Sequence, residues 1–299
     1  MTADMEPPRL PVVYIDQGGL RVNGMDGYLC EMEEASMTGR LLPIGTDRKL
    51  SLEIVPFGLP VEGLSFEVRS ADGSRLVEDT PVPGLAEEDG VLRADIVLKD
   101  LIDENVEYSL IFKVLLEDGR EVSYYMRVIL QEESGVQEKL DFVAGFSRDT
   151  FDDASCAALA VYMETDAGGD NSTLGRVTIH SSLEQLGWGS LNVRQETEPV
   201  FTILDMTGQT AAVSVEYLVS YTRYERERYA FVKELYRIRS GAERMYLLDY
   251  ERTMNEYFTE DASSFVDEEA VLGIRDTDVE MKESEGGDIV AFAQNGVLY

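Results

Sequence analysis

The stretch Tyr108-Ser-Leu-Ile-Phe-Lys-Val-Leu-Leu-Glu-Asp-Gly-Arg-Glu-Val-Ser-Tyr-Tyr-Met-Arg-Val-Ile-Leu130 decides the fold class. Tyr108, Leu110, Phe112, Val114 and Leu116 fall on every second position, and so do Val122, Tyr124, Met126, Val128 and Leu130. A period of two places each set on one face of a β-strand. Between the sets, Asp118-Gly119 predicts a two-residue turn with both central residues at positive φ, so the strands form a hairpin. An apolar face on each strand needs a second sheet to cover it. Upstream, the same alternation recurs at Leu50, Leu52 and Ile54, then at Leu64, Phe66 and Val68, and again at Leu92, Ala94, Ile96 and Leu98. A second Asp-Gly follows at Asp72-Gly73, while Gly18-Gly19 marks another turn. About seven short strands over residues 11–131 predict a β-sandwich.

The segment Leu98-Lys-Asp-Leu-Ile-Asp-Glu-Asn-Val-Glu-Tyr108 resembles the tyrosine corner that opens the penultimate strand of immunoglobulin and fibronectin type III domains. That resemblance implies an immunoglobulin/fibronectin-III-like sandwich. Residues 1–10, with two prolines at Pro7-Pro8, read as a leader or linker.

Beyond Glu132 the period changes. Val136, Leu140, Val143 and Phe146 have helical spacing. Asp152 and Asp153 can cap a second helix with Cys156, Leu159, Ala160 and Met163 on its apolar face. Strand-like segments follow at 175–180 and 200–205, then three long ones at 210–223, 229–239 and 244–251. Two helices followed by a meander of long antiparallel strands predict an α+β layer over residues 132–258. In element order this resembles the NTF2-like fold, with a cystatin-like arrangement as the alternative. Residues 259–285 are acidic and rich in Ser and Asp. The segment Asp288-Ile-Val-Ala-Phe-Ala-Gln-Asn-Gly-Val-Leu-Tyr299 reads as a strand, an Asn-Gly turn and the start of a returning strand. Residues 259–299 are thus expected to be a linker and the start of a further, propeller-like β region.

Composition narrows the function classes. Of 299 residues, 58 are Asp or Glu and 26 are Lys or Arg, for a net charge of −32. That field repels polyanions and argues against nucleic acid as a partner. Apolar residues reach 44%, with 15 Tyr and 11 Phe, too many for a disordered acidic chain. Cys30 and Cys156 are too few for a disulfide framework and read as buried apolar side chains. His180, the sole histidine, leaves no multi-histidine metal site. No metal or cofactor is expected. The loop Asp166-Ala-Gly-Gly-Asp-Asn171 offers oxygen ligands but lacks the alternating acids and terminal Glu of a calcium-binding EF-hand. The sequence holds no Walker A, GxGxxG, GxSxG or HExxH motif. Glu132-Glu133 and Asp152-Asp153 read as solvated faces or helix caps. The alternating signs around Arg223, Arg226 and Arg228 read as an exposed strand end. No run of residues matches the roughly 20 apolar positions of a membrane helix.

Several strings together, Glu62-Gly-Leu-Ser-Phe-Glu-Val-Arg69, Asp72-Gly-Ser-Arg-Leu-Val-Glu-Asp79, Ile179-His-Ser-Ser182 with Trp188-Gly189, and Tyr236-Arg-Ile-Arg239 with Arg244-Met-Tyr-Leu-Leu-Asp-Tyr-Glu-Arg252, resemble a family of large membrane-anchored extracytoplasmic proteins of Gram-positive anaerobic gut bacteria. The family has no known activity. The resemblance implies that this chain is an internal segment of such a protein, outside the cytoplasm, with its anchor beyond these residues. The expected function is a non-catalytic interaction segment whose partners are proteins or wall-associated ligands. The alternatives are a small-ligand-binding or enzymatic second domain and a cytosolic acidic scaffold. An α+β pocket recruits aromatic and polar residues, and His180, Trp188, Tyr217 and Tyr236 are its candidates by type.

Overall fold

The computed structural model describes residues 9–166, 168, 173–223, 226–256, 265–266, 269–270, 281–284, 286, 290–294 and 297–298. The chain divides into two compact units, residues 1–255 and 256–299. It is mainly β, as the alternation predicts.

The first unit opens with ten strands: β1 (Val12–Gln17), β2 (Leu20–Met25), β3 (Leu41–Ile44), β4 (Lys49–Val55), β5 (Val61–Ser70), β6 (Leu76–Val82), β7 (Ala86–Glu88), β8 (Val91–Val97), β9 (Glu107–Leu116) and β10 (Glu121–Leu130). They form two sheets, one in the order β2-β1-β4-β8-β7 and one in the order β3-β10-β9-β5-β6. Val13, Ile15, Leu52 and Ile54 of the first sheet and Phe66, Leu110, Phe112 and Tyr124 of the second belong to one buried core. Every residue of the two alternating sets that decide the hairpin is buried.

The Asp118-Gly119 turn differs from the expected form. Only Gly119 has positive φ, the Gly119 N–H donates to Leu116 O (2.9 Å) and the Leu116 N–H to Arg120 O (2.9 Å). This is a three-residue loop, a type I turn followed by a left-handed glycine, which sets the strand twist without forcing Asp118 to positive φ. The two-residue turn with both residues at positive φ occurs instead at Gly18-Gly19, where Gln17 pairs with Leu20. Tyr108 forms a corner: its hydroxyl accepts from the Asp103 N–H and donates to Asp103 Oδ2, each at 3.1 Å.

The outer face of the β9–β10 hairpin is also covered. Ile111, Tyr125 and Ile129 are buried there. Residues 28–36 run across this face, with Tyr28 paired to Ser123 and the Met32 N–H donating to the Tyr125 hydroxyl at 3.1 Å. Cys30 sits on this strap and is exposed, contrary to the expectation of burial, because the strap has only one face against protein; Cys156 is buried as expected.

The second half holds α1 (Val136–Asp149), α2 (Asp153–Ala158), β11 (Arg176–Thr178), α3 (Leu183–Leu186), β12 (Arg194–Gln195), β13 (Val200–Met206), β14 (Thr210–Arg223), β15 (Arg226–Ser240) and β16 (Met245–Glu256). Asp152 caps α2, accepting from the Ser155 N–H at 2.8 Å. That helix is shorter than its apolar run: Leu159–Tyr162 continues as a 3-10 turn, and Ala160, expected on the apolar face, is exposed. Strands β13 to β16 form the long meander. Phe146 of α1 packs on it, 5.6 Å from the Tyr236 ring and 5.3 Å from Tyr250.

The meander and the first sandwich sheet are one eleven-stranded sheet, joined where β13 runs parallel to β2 at Phe201 and Val22. Asn23 secures the joint. It is fully buried at φ 54°, its Nδ2 donates to Leu41 O (3.0 Å), and its Oδ1 accepts from the Ile203 N–H (2.9 Å). Asparagine tolerates this left-handed backbone better than most residues, and its amide satisfies one group on each neighbouring strand.

In the second unit, β17 (Phe265–Val266) pairs with β18 (Glu269–Ala270), and β19 (Met281–Glu283), β20 (Val290–Gln294) and β21 (Val297–Leu298) form an antiparallel ladder. Gln294 pairs with Val297. Asn295-Gly296 itself, most of 1–10, of the 166–171 loop and of 259–285, and Tyr224-Glu225 lie outside the described residues.

Candidate functional site

The alternation of β15 carries Ala230, Val232, Tyr236 and Ile238 inward, and it carries Glu234 to the same face. Glu234 is fully buried and accepts from three phenols: Tyr217 Oη (3.1 Å) and Tyr250 Oη (3.1 Å) to Oε1, and Tyr236 Oη (2.9 Å) to Oε2. Hydrogen bonds to a carboxylate are stronger than neutral ones, so the three strands β14, β15 and β16 are pinned at one point in the core. Burial pushes all three tyrosines well above the usual phenol range, and the nearby Glu234 charge adds to the rise. The Arg252 guanidinium opposes it at Tyr217 and Tyr250.

Arg252 is the second buried charge. Its NH1 and NH2 each donate at 2.8 Å, to Leu186 O and Gln185 O, while its Nε has no partner. The guanidinium lies 3.5 Å from the Trp188 ring centroid. Trp188 adopts φ 69°, unusual for a bulky side chain, and is held there by Arg252 on the ring, by Phe151 at 5.2 Å and by an Nε1 hydrogen bond to Thr150 Oγ1 at 3.3 Å.

The structure thus brings three of the four sequence candidates, Trp188, Tyr217 and Tyr236, into one cluster with Glu234, Tyr250 and Arg252. All are sealed within the core. His180 is not part of it. It is exposed, and its Nδ1 lies 3.0 Å from Glu164 O. The signal that finds Glu234 was present in the sequence: an acid at an inward position of an alternating strand.

The open site lies elsewhere. A cleft of about 540 Å³ forms where the outer face of β1, β2, β4 and β8 meets α1 and the segment leading into β13. Its charged lining is Arg21, Arg93 and Arg148 with Asp16, Glu53 and Glu198, three cations against three anions. Glu53 is nearly buried and bridges two strands: Arg21 Nε donates to Oε2 at 2.9 Å, and Arg93 NH2 to Oε1 at 2.9 Å. Burial pushes the Glu53 carboxyl up, but the hydrogen bonds from Arg21 and Arg93 together outweigh it and hold it below the usual range. Arg21 also reaches Glu198 (3.4 Å), and Arg93 pairs with Glu88. Ser147 and Gln195 add neutral donors and acceptors. Composition gave no hint of this cleft, because its residues come from six separate segments. Among the described residues no group of three His, Cys, Asp or Glu is placed to hold a metal ion.

No protein-family model and no curated protein sequence matches the chain. Among solved structures, the sporulation control protein Spo0M of Bacillus subtilis aligns over 80% of this chain and 90% of its own, with 7% identity and a TM-score of 0.22. A score that low carries no argument about fold or function. No helix among the described residues is long and apolar enough to cross a membrane.

Proposed function

We propose that this chain is a non-catalytic binding segment of a larger, membrane-anchored extracytoplasmic protein, built from an immunoglobulin-like sandwich and an NTF2-like α+β module. The observation that carries the reading is the direction of its polar chemistry. Glu234, its three tyrosines and Arg252 lie in a closed core, whereas four of the six charges lining the open cleft, Arg21, Glu53, Arg93 and Glu198, are already paired to each other, and Arg148 pairs with Asp149. A buried, fully hydrogen-bonded carboxylate stabilises a scaffold; general acid–base work needs a group within reach of a substrate. The Tyr108–Asp103 corner supports the immunoglobulin-like reading of the sandwich, and α1 laid on the meander supports the NTF2-like one. The cleft volume is within the range of ligand sites, but its lining is charged, which suits a polar protein or wall-associated partner better than an apolar metabolite.

The test is a photo-crosslinking residue in place of Gln195 in the full-length protein in its own cells. One discrete light-dependent adduct is expected. Turnover of a small substrate by the purified chain, abolished by Arg148→Ala, would replace this reading with the enzymatic one.

A further inference from the structure

Basic side chains on this acidic surface mostly sit against carboxylates, as Arg21, Arg48, Arg69, Arg120, Arg176 and Lys233 do. Three that do not are neighbours. Arg237 and Arg239 share the outer face of β15, and Arg244 precedes β16 across the Ser240–Arg244 turn. All three are exposed, and none makes an ion pair among the described residues. Arg239 and Arg244 both stand over the Tyr246 ring, their Cζ atoms 5.4 and 4.7 Å from its centroid. The ring is fixed by the turn: it lies so close to Gly241 that a Cβ there would run into it. Two like charges are therefore gathered on one aromatic face, with a third, Arg237, two positions from Arg239 along β15 and Glu243 the one acid in the turn. The same outer face continues into Phe231, Leu235 and Leu248, all exposed.

Resting on the reading of the chain as a binding segment, we infer that Arg237, Arg239, Arg244 and Tyr246 form the docking site for an extended acidic segment of a protein partner. Charge complementarity selects the occupant. Side chains two apart on a strand stand roughly 7 Å apart, so Arg237 and Arg239 match carboxylates on alternate residues of an extended peptide. Arginine and aromatic residues beside an apolar strip are also the composition of protein interfaces. A long polyanion or an anionic bilayer would meet the field of the whole −32 chain, whereas a short segment meets mainly the patch, because salt confines the remaining field to about 8 Å.

The experiment follows the arginine side-chain NMR signals of the intact chain during titration. The probes are a synthetic pentapeptide with glutamate at its first, third and fifth positions, the same peptide with glutamine there, and phosphatidylglycerol vesicles. The glutamate peptide is expected to shift Arg237, Arg239 and Arg244 saturably. Its affinity should drop at least tenfold in the variant R237Q/R239Q/R244Q and in 0.5 M salt. Unchanged Trp188 fluorescence would show that the variant is folded. No shift at these arginines, equal binding of the glutamine peptide, or binding of vesicles without binding of the peptide would each overturn the proposal. Shifts centred on Arg21, Arg93 and Arg148 would overturn it too, while leaving the binding-segment reading to its own cross-linking test.

Discussion

Glu234 sits at the meeting point of three strands, and its replacement separates charge from hydrogen bonding. Glu234→Gln keeps the shape but turns one acceptor into a donor, and should cost about 1–3 kcal/mol. Glu234→Leu leaves three buried phenols without their acceptor and should cost about 3 kcal/mol or more. Urea unfolding followed by the single tryptophan, Trp188, measures both. The tyrosines predict a pH effect of known sign. Their folded pKa values lie well above the unfolded value near 10. The stability they contribute is therefore complete below about pH 10 and is lost as pH rises toward the folded values. Melting temperature should fall steeply above about pH 10, and less steeply in Tyr236→Phe. At the acid end, Glu53 and Glu67 are held low. Burial pushes both up, and hydrogen bonds from Arg21 and Arg93 in one case and from Lys113 and Arg69 in the other more than offset it. Their contribution is present above the unfolded glutamate value, near 4.3, and fades as pH drops through the folded one.

At the scale of elements, two polar residues hold pieces together that hydrophobic burial alone would let slide. Asn23 ties β2 to β3 and β13. Asn23→Leu leaves a buried carbonyl and a buried N–H unsatisfied and places a poorly tolerated residue at positive φ. It should cost about 2–4 kcal/mol. Asn23→Asp keeps the acceptor for Ile203 but turns a carboxylate oxygen toward Leu41 O in a buried site, and should cost at least as much at neutral pH. Denaturant melts of the two variants give the comparison. Lys139 does similar work for α1: its buried ammonium donates to the carbonyls of Ser134, Thr207 (2.7 Å) and Gly208 (3.0 Å). Lys139→Met should raise amide exchange selectively in the first turn of α1 and at residues 206–210, read by hydrogen exchange. Wholesale exchange across β14 and β15 would instead mean that the meander depends on this contact.

For the molecule as a whole, net charge is the governing term. With 58 acids against 26 bases, self-repulsion opposes compactness. Raising salt from about 0.02 to 0.5 M shortens the screening length several-fold and should raise the melting temperature by a few degrees. The same field should prevent retention on heparin at physiological salt without a divalent cation. A melting temperature that falls with salt would show that ion pairs such as Arg21–Glu53–Arg93 outweigh the repulsion.

The strand positions and the inward faces were legible because burial on a pleated strand has a period of two, and Tyr108–Leu116 and Val122–Leu130, on either side of the Asp118-Gly119 loop, each keep that period. The helical period of Val136, Leu140, Val143 and Phe146 was equally plain. Other features were decided by tertiary contacts. Asp118 escapes positive φ because the loop takes one more residue, and Cys30 is exposed because its segment became a strap over a sheet. The joining of sandwich and meander into one sheet rests on the Phe201–Val22 pairing and on Asn23, which accepts from a residue 180 positions away. Glu234 could be placed on the inner face from its strand, but its three phenols come from β14, β15 itself and β16. Local periodicity is a property of neighbouring residues, so the chain order carries it. Partnership between distant polar groups depends on which strands come to lie side by side, and only the assembled sheet determines that.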